Sequence, residues 1–146
     1  MKIRKILVFA ALVVTGALGI NAQEANPMMQ PLPIDPAIRT GKLANGLTYY
    51  VRHTSMQPGK ADFYLVQNVG ALMEEDNQNG LAHFLEYMAF NGSESFKEGI
   101  PNFLKRRGVT RFNAQTGQDE TVYYMTAIPT NDTKLLDSCL LVMKDW

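Results

Sequence analysis

Apolar residues change their period several times along this chain, and a turn signal marks each change. Leu47 to Thr54, opened by the Asn45-Gly46 pair, is rich in Tyr and Val and predicts a strand. Ala61 to Val69 predicts a second strand of similar character. Between residues 81 and 92 the period lengthens. At about 100° per residue, Leu81, Phe84, Leu85 and Met88 fall on one narrow stripe of a helix, with His83, Glu86 and Tyr87 on the opposite side. The apolar stripe is the expected packing face. Asn91-Gly92 is the expected stop, because glycine tolerates the left-handed conformation just past a helix end. Glu74-Glu75-Asp76 places negative charge ahead of the helix, where the N-terminal dipole favours it.

Beyond this helix, Pro101 suits the first turn of a second one, which Gly108 ends. Its last turn carries Lys105-Arg106-Arg107, a basic cluster that complements the helix dipole. Thr110 to Thr116 and Thr121 to Ile128 predict two strands joined by a turn at Gly117-Gln118-Asp119. A last helix is expected from about Asn131-Asp132, with apolar positions at 135, 139, 142, 143 and 146. It reaches Trp146 with no glycine, polar tail or cap, from which the chain is expected to be short of the fold it encodes. Strands and helices in this order predict an α+β fold.

The N-terminal part has a different character. Lys2, Arg4 and Lys5 precede an almost unbroken apolar run from Ile6 to Ile20, and Asn21-Ala22-Gln23 offers a small residue for cleavage. Residues 1–22 are expected to be a secretory signal, the run being short for a membrane span. Residues 23–40, with Pro27, Pro31, Pro33 and Pro36, are expected to be an extended lead-in, leaving 41–146 as the domain. The chain is formally neutral, so removing the three positive charges of 1–22 leaves about −3 on the rest, which argues against a nucleic-acid partner. Cys139 is the only cysteine, so no internal disulfide is available, and its apolar neighbours Leu136, Leu140 and Val142 predict a buried, inert thiol.

Residues 83–87 carry the candidate chemistry: His83-Phe84-Leu85-Glu86-Tyr87. A His-x-x-Glu-His pentad on a helix sets two imidazoles and a carboxylate on one surface, able to hold a zinc ion and place a general base beside its bound water. Here the second imidazole is replaced by the phenol of Tyr87. A phenol ionises near pH ~10 and is a poor ligand at neutral pH. The only other histidine, His53, falls at a strand end and reads as a surface residue, and two histidines exclude a three-histidine site.

With these elements in order, the chain resembles the N-terminal domain of the M16 (pitrilysin and insulinase-like) zinc peptidases. It looks most like the exported members from Bacteroidetes-type bacteria. The matching segments are LANGLTYYVRH at 43–53, ADFYLVQNVGALMEEDNQNGLAHFLEYMAFNG at 61–92, NAQTGQDETVYY at 113–124 and DSCLLVMKDW at 137–146. The resemblance covers roughly residues 37–146. It implies a partial M16 (LuxS/metallohydrolase-like) domain with a largely antiparallel sheet and helices packed on one face. It implies zinc as the family's cofactor, His83 at the first ligand position, Glu86 as the general base, and Tyr87 at the second ligand position. The family's third ligand, a later glutamate, lies beyond this chain. Asn113 and Ala114 match the strand on which the family docks an extended peptide or protein substrate by strand addition. Two departures stand out: Gln115 where the family tends to place Tyr, and a stretch from Gly108 to Asn113 a few residues shorter than usual.

The expected function is therefore that of the N-terminal portion of an exported, periplasmic or extracellular M16 zinc metalloendopeptidase. Hydrolysis is expected to be silent in this chain, and zinc binding weak or absent. Tyr87 is expected to fill the vacated metal position, its hydroxyl bonded to His83 or Glu86. Two other readings stand beside it: a non-catalytic peptide-binding subunit paired with an active homologous M16 subunit, and a residual enzyme whose metal site another chain or an unusual ligand completes.

Overall fold

The computed structural model describes residues 32–146, so the expected signal at 1–22 and most of the lead-in lie outside the described residues. The chain divides into two compact units, parted between His53 and Thr54.

Within the first unit, strand β1 (Ile38–Lys42) pairs antiparallel with β2 (Thr48–Arg52), Ile38 facing Arg52 and Lys42 facing Thr48. The Asn45-Gly46 turn joins them as the sequence predicts. Gly46 adopts φ +92 and donates its N–H to Leu43 O at 2.9 Å, and Asn45 Oδ1 accepts from Leu47 N at 3.1 Å. Strand β1 starts inside the stretch expected to be an extended lead-in. The prolines end at Pro36, so from Ile38 every residue has an N–H to give to a ladder.

The second unit is built on a three-stranded antiparallel sheet in the order β3 (Lys60–Gln67), β5 (Thr121–Pro129), β4 (Phe112–Thr116). Its strands alternate. Phe63, Leu65, Ala114, Tyr123 and Met125 turn to one face, where Phe63 sits opposite Met125 and Leu65 opposite Tyr123. Helices α1 (Leu81–Met88), α2 (Ile100–Arg106) and α3 (Thr133–Asp145) pack on that face, giving the expected α+β fold with helices on one side. The core joins Ile100 and Leu104 of α2 to Met125 and Ile128 of β5 and to Leu135, Cys139 and Val142 of α3. The opposite face carries Tyr64 and Val66, both exposed, with the Tyr64 and Tyr124 rings 6.0 Å apart.

Several local signals act as their chemistry dictates. Asp132 caps α3 by accepting from Leu135 N at 3.0 Å, and the predicted positions 135, 139 and 142 are all buried. Pro101 lies in the first turn of α2, and Gly108 at φ +77 follows its end. Cys139 is fully buried, and burial pushes its thiol up to about 11.

Besides the start of β1, three features depart from the sequence reading. Helix α1 ends at Met88, before Asn91-Gly92, because Phe90 N and Asn91 N bond to the carbonyls three residues back and tighten the end. Gly92 instead allows a close approach: a Cβ there would lie 2.8 Å from Lys97 O. Next, the apolar stripe of α1 is not its packing face. Leu81, Phe84, Leu85 and Met88 are exposed, while Ala82 and Glu86 are buried. Finally, β5 carries a bulge at Ala127, a non-glycine residue at φ +59, whose N–H is held by Asp62 Oδ1 at 2.7 Å.

Candidate functional site

Helix α1 is fixed before it begins. Gly70 lies against the backbone of Gly117 and Gln118, where a Cβ would come within 2.7 Å. Ala71 N and Leu72 N donate to Gly117 O and Gln118 O, tying the approach to α1 onto the β4–β5 turn. The chain reaches left-handed Gly80 at φ +88 and turns into the helix. The Glu74 carboxylate then accepts from Gly80 N at 2.6 Å and from Ala82 N at 2.7 Å. The negative charge expected near this N-terminus is thus a direct hydrogen-bonding partner of its free N–H groups.

That orientation turns Glu86 inward, leaving it only 8% exposed. A buried carboxylate needs a donor, and Thr116 of β4 supplies one, Oγ1 to Oε2 at 2.5 Å. Thr121 Oγ1 lies 3.4 Å from Thr116 Oγ1, but its one proton has the shorter bond to Val69 O at 2.9 Å. Next to them, burial first and the Glu86 charge second hold the Tyr123 phenol above its ordinary value.

His83 and Tyr87 sit on the outer side of the same helix. Their rings meet edge to face with centroids 5.1 Å apart. Tyr87 is 66% exposed, and its hydroxyl bonds neither His83 nor Glu86 among the described residues. The expectation that Tyr87 would fill the metal position and satisfy its neighbours is therefore overturned. Thr116 satisfies the carboxylate from the strand side, so the phenol is free to lie outward.

The candidate residues of the pentad and of the expected docking strand meet at one cleft of about 510 Å³. His83, Glu86 and Tyr87 line it from α1, Phe90 lies just beyond them, and Phe112 to Thr116 of β4 form its floor, including Asn113, Ala114 and Gln115. Strand β4 is one edge of its sheet, paired among the described residues only to β5. A second hollow, of about 150 Å³, lies by the Ala127 bulge and brings only Arg111 as a charged group. His53, at the end of β2 in the first unit, is exposed as expected. Thr116 and Tyr123 were not singled out as site residues in the sequence, and Glu74 only as part of the negative charge ahead of α1. A signal for Thr116 existed: at period two it shares a face with Ala114.

The donor set does not fit a catalytic zinc. Such a site needs three protein ligands with an open fourth position. Among the described residues no three His, Cys, Asp or Glu side chains converge. The α1 surface offers one imidazole and one phenol, and the Glu86 carboxylate is held by Thr116.

The site thus sets a His-x-x-Glu helix beside an edge strand of an α+β domain. The sequence profile of the insulinase family, peptidase family M16, matches residues 50–146. This chain belongs to that family. It is 38% identical over 119 residues to the probable zinc protease PqqL of Haemophilus influenzae, covering 79% of this chain and 13% of that protein. The crystal structure of the periplasmic protease PqqL from Escherichia coli superposes with a TM-score of 0.74 at 33% identity, over 79% of this chain and 13% of that one. The ferredoxin protease FusC, solved in complex with Arabidopsis ferredoxin, gives a TM-score of 0.64 at 29% identity, over 73% of this chain and 12% of that one. The chain thus spans about an eighth of the length of these relatives.

Proposed function

We propose that this chain is the N-terminal portion of an exported M16 zinc metalloendopeptidase whose cleft receives an extended peptide without hydrolysing it. In this reading residues 1–22 are the export signal, 41–146 the incomplete peptidase domain, and the destination the periplasm, as for the protease PqqL. Zinc in this family activates the attacking water when bound; in this chain its binding is weak or absent. Asn113 and Ala114 hold peptide backbone along the β4 edge, where unpaired N–H and C=O groups are available. Glu86 is the residue in the general-base position, held in place by Thr116, and His83 is the one remaining metal-type ligand. The observation that carries the reading is the meeting of His83, Glu86, Tyr87, Asn113 and Ala114 at one cleft beside an edge strand.

A second reading is a non-catalytic peptide-binding subunit partnered by an active M16 homologue. What favours it is that the cleft and strand edge persist although the second imidazole is gone. Both readings are tested on the purified chain by metal analysis, a peptidase assay with and without chelator, and amide chemical shifts during peptide titration. We expect zinc well below one equivalent, no chelator-sensitive cleavage, and shifts centred on Asn113 and Ala114. Stoichiometric zinc with chelator-sensitive cleavage overturns the proposal, and unmoved β4 amides remove peptide docking. Co-purification with a full-length homologue selects the second reading.

A further inference from the structure

Three asparagines in this chain precede glycine: Asn45-Gly46, Asn79-Gly80 and Asn91-Gly92. All three pairs are exposed, so neither sequence nor accessibility separates them. Hydrogen bonding does. Asparagine followed by glycine is prone to one spontaneous reaction, in which the glycine backbone nitrogen, stripped of its proton by water or hydroxide, attacks the asparagine Cγ. The Cγ–Nδ2 bond breaks, ammonia leaves and a five-membered succinimide forms. Water then opens the ring at either carbonyl to give aspartate or isoaspartate. The net change is consumption of one water and release of one ammonia. The reaction requires a glycine N–H free to lose its proton and to move toward the side chain.

At Gly46 that N–H is donated to Leu43 O at 2.9 Å within the hairpin turn, and Asn45 Oδ1 is occupied by Leu47 N at 3.1 Å. At Gly80 it is donated to Glu74 Oε2 at 2.6 Å, and the adjacent negative charge also opposes loss of the proton. Gly92 N has no acceptor among the described residues, and the Asn91 side chain has only a weak contact from Nδ2 to Met88 Sδ at 3.4 Å. We infer that Asn91 is this protein's deamidation site, and that native hydrogen bonds guard Asn45 and Asn79. The site follows directly on Phe90 of the cleft. Its product adds a negative charge just past the C-terminus of α1, where the dipole disfavours one. The isoaspartate form also lengthens the backbone by one methylene beside Gly92, which is packed on Lys97 O.

The test is peptide-map mass spectrometry of the full chain aged in mildly alkaline buffer, native and in concentrated urea. Native protein should react at Asn91 about fivefold faster than at Asn45 or Asn79, the factor one retained hydrogen bond is worth. In urea the three rates should converge. Substituting Glu74→Ala should bring Asn79 up toward Asn91 without altering Asn45. Should that variant fail to fold, the native-against-urea comparison on the unaltered chain still decides. Native rates that are equal at the three sites, or fastest at Asn45 or Asn79, overturn the inference. So does a native Asn91 that stays intact while urea releases all three.

Discussion

Ala127 shows what one residue contributes to a sheet that its period does not reveal. At φ +59 its Cβ crowds the backbone, a conformation that costs an L-residue about 1–2 kcal/mol and glycine almost nothing. The bulge survives because Asp62 Oδ1 holds the Ala127 N–H at 2.7 Å. Ala127→Gly should therefore raise stability by about 0.5–1 kcal/mol after the entropy glycine adds to the unfolded chain. A rise in the urea midpoint at unchanged slope would show it, and a fall would mean the methyl packs usefully. Cys139 makes a pH-dependent contribution. Its thiol rises from 9.0 to about 11 on folding, so the folded chain keeps a proton the unfolded one releases. This contribution is fully present below pH 9 and is lost as pH rises toward 11, on the order of 2 kcal/mol in all. Urea unfolding across that range should show the decline, and Cys139→Ala should reduce it, leaving the part that the raised Tyr123 phenol contributes above pH 10.

Among the elements, those whose boundaries depend on local chemistry were legible in the sequence. Asp132 capping α3, Pro101 opening α2 and Asn45-Gly46 turning the hairpin each act through neighbours a few residues away. Helix α1 was legible as a helix but not in its orientation. Periodicity names the stripe of Leu81, Phe84, Leu85 and Met88, yet what a stripe faces is decided by distant segments. Here Glu74 and the β4–β5 turn fix α1 so that Ala82 and Glu86 face the sheet. Strand β1 was missed because its partner strand, and not its own composition, makes it a strand. The Glu74 clamp itself can be measured. Glu74→Ala removes both acceptors from Gly80 N and Ala82 N and should cost about 1–2 kcal/mol, the range for loss of an N-cap. Hydrogen exchange should accelerate at Gly80 and Ala82 well before it does in α3; equal acceleration in both helices would assign Glu74 a global role instead.

On the scale of the molecule, the site is a product of sheet order. His83, Glu86 and Tyr87 are far in sequence from residues 112–116, and the order β3-β5-β4 brings the two groups to one cleft. The pentad was readable as a motif, and Asn113 and Ala114 through the family resemblance. The Thr116–Glu86 bond was not, because it depends on the register of β4 against α1. This bond separates two properties that the pentad joins: the carboxylate keeps its place through the strand, while metal binding depends on the outer face of α1. Replacing Tyr87, 66% exposed, should thus leave the fold intact to within about 0.5 kcal/mol. Tyr87→His would set two imidazoles one turn apart and should strengthen zinc binding measurably. It should not by itself create a chelator-sensitive peptidase, because no third His, Cys, Asp or Glu converges there among the described residues. Zinc titration by calorimetry alongside a quenched-peptide assay separates the two effects. Tighter zinc without cleavage is the expected pair of results. Chelator-sensitive cleavage after this one change would mean that the chain supplies a third donor from outside the described residues, and that Tyr87 alone keeps the enzyme silent.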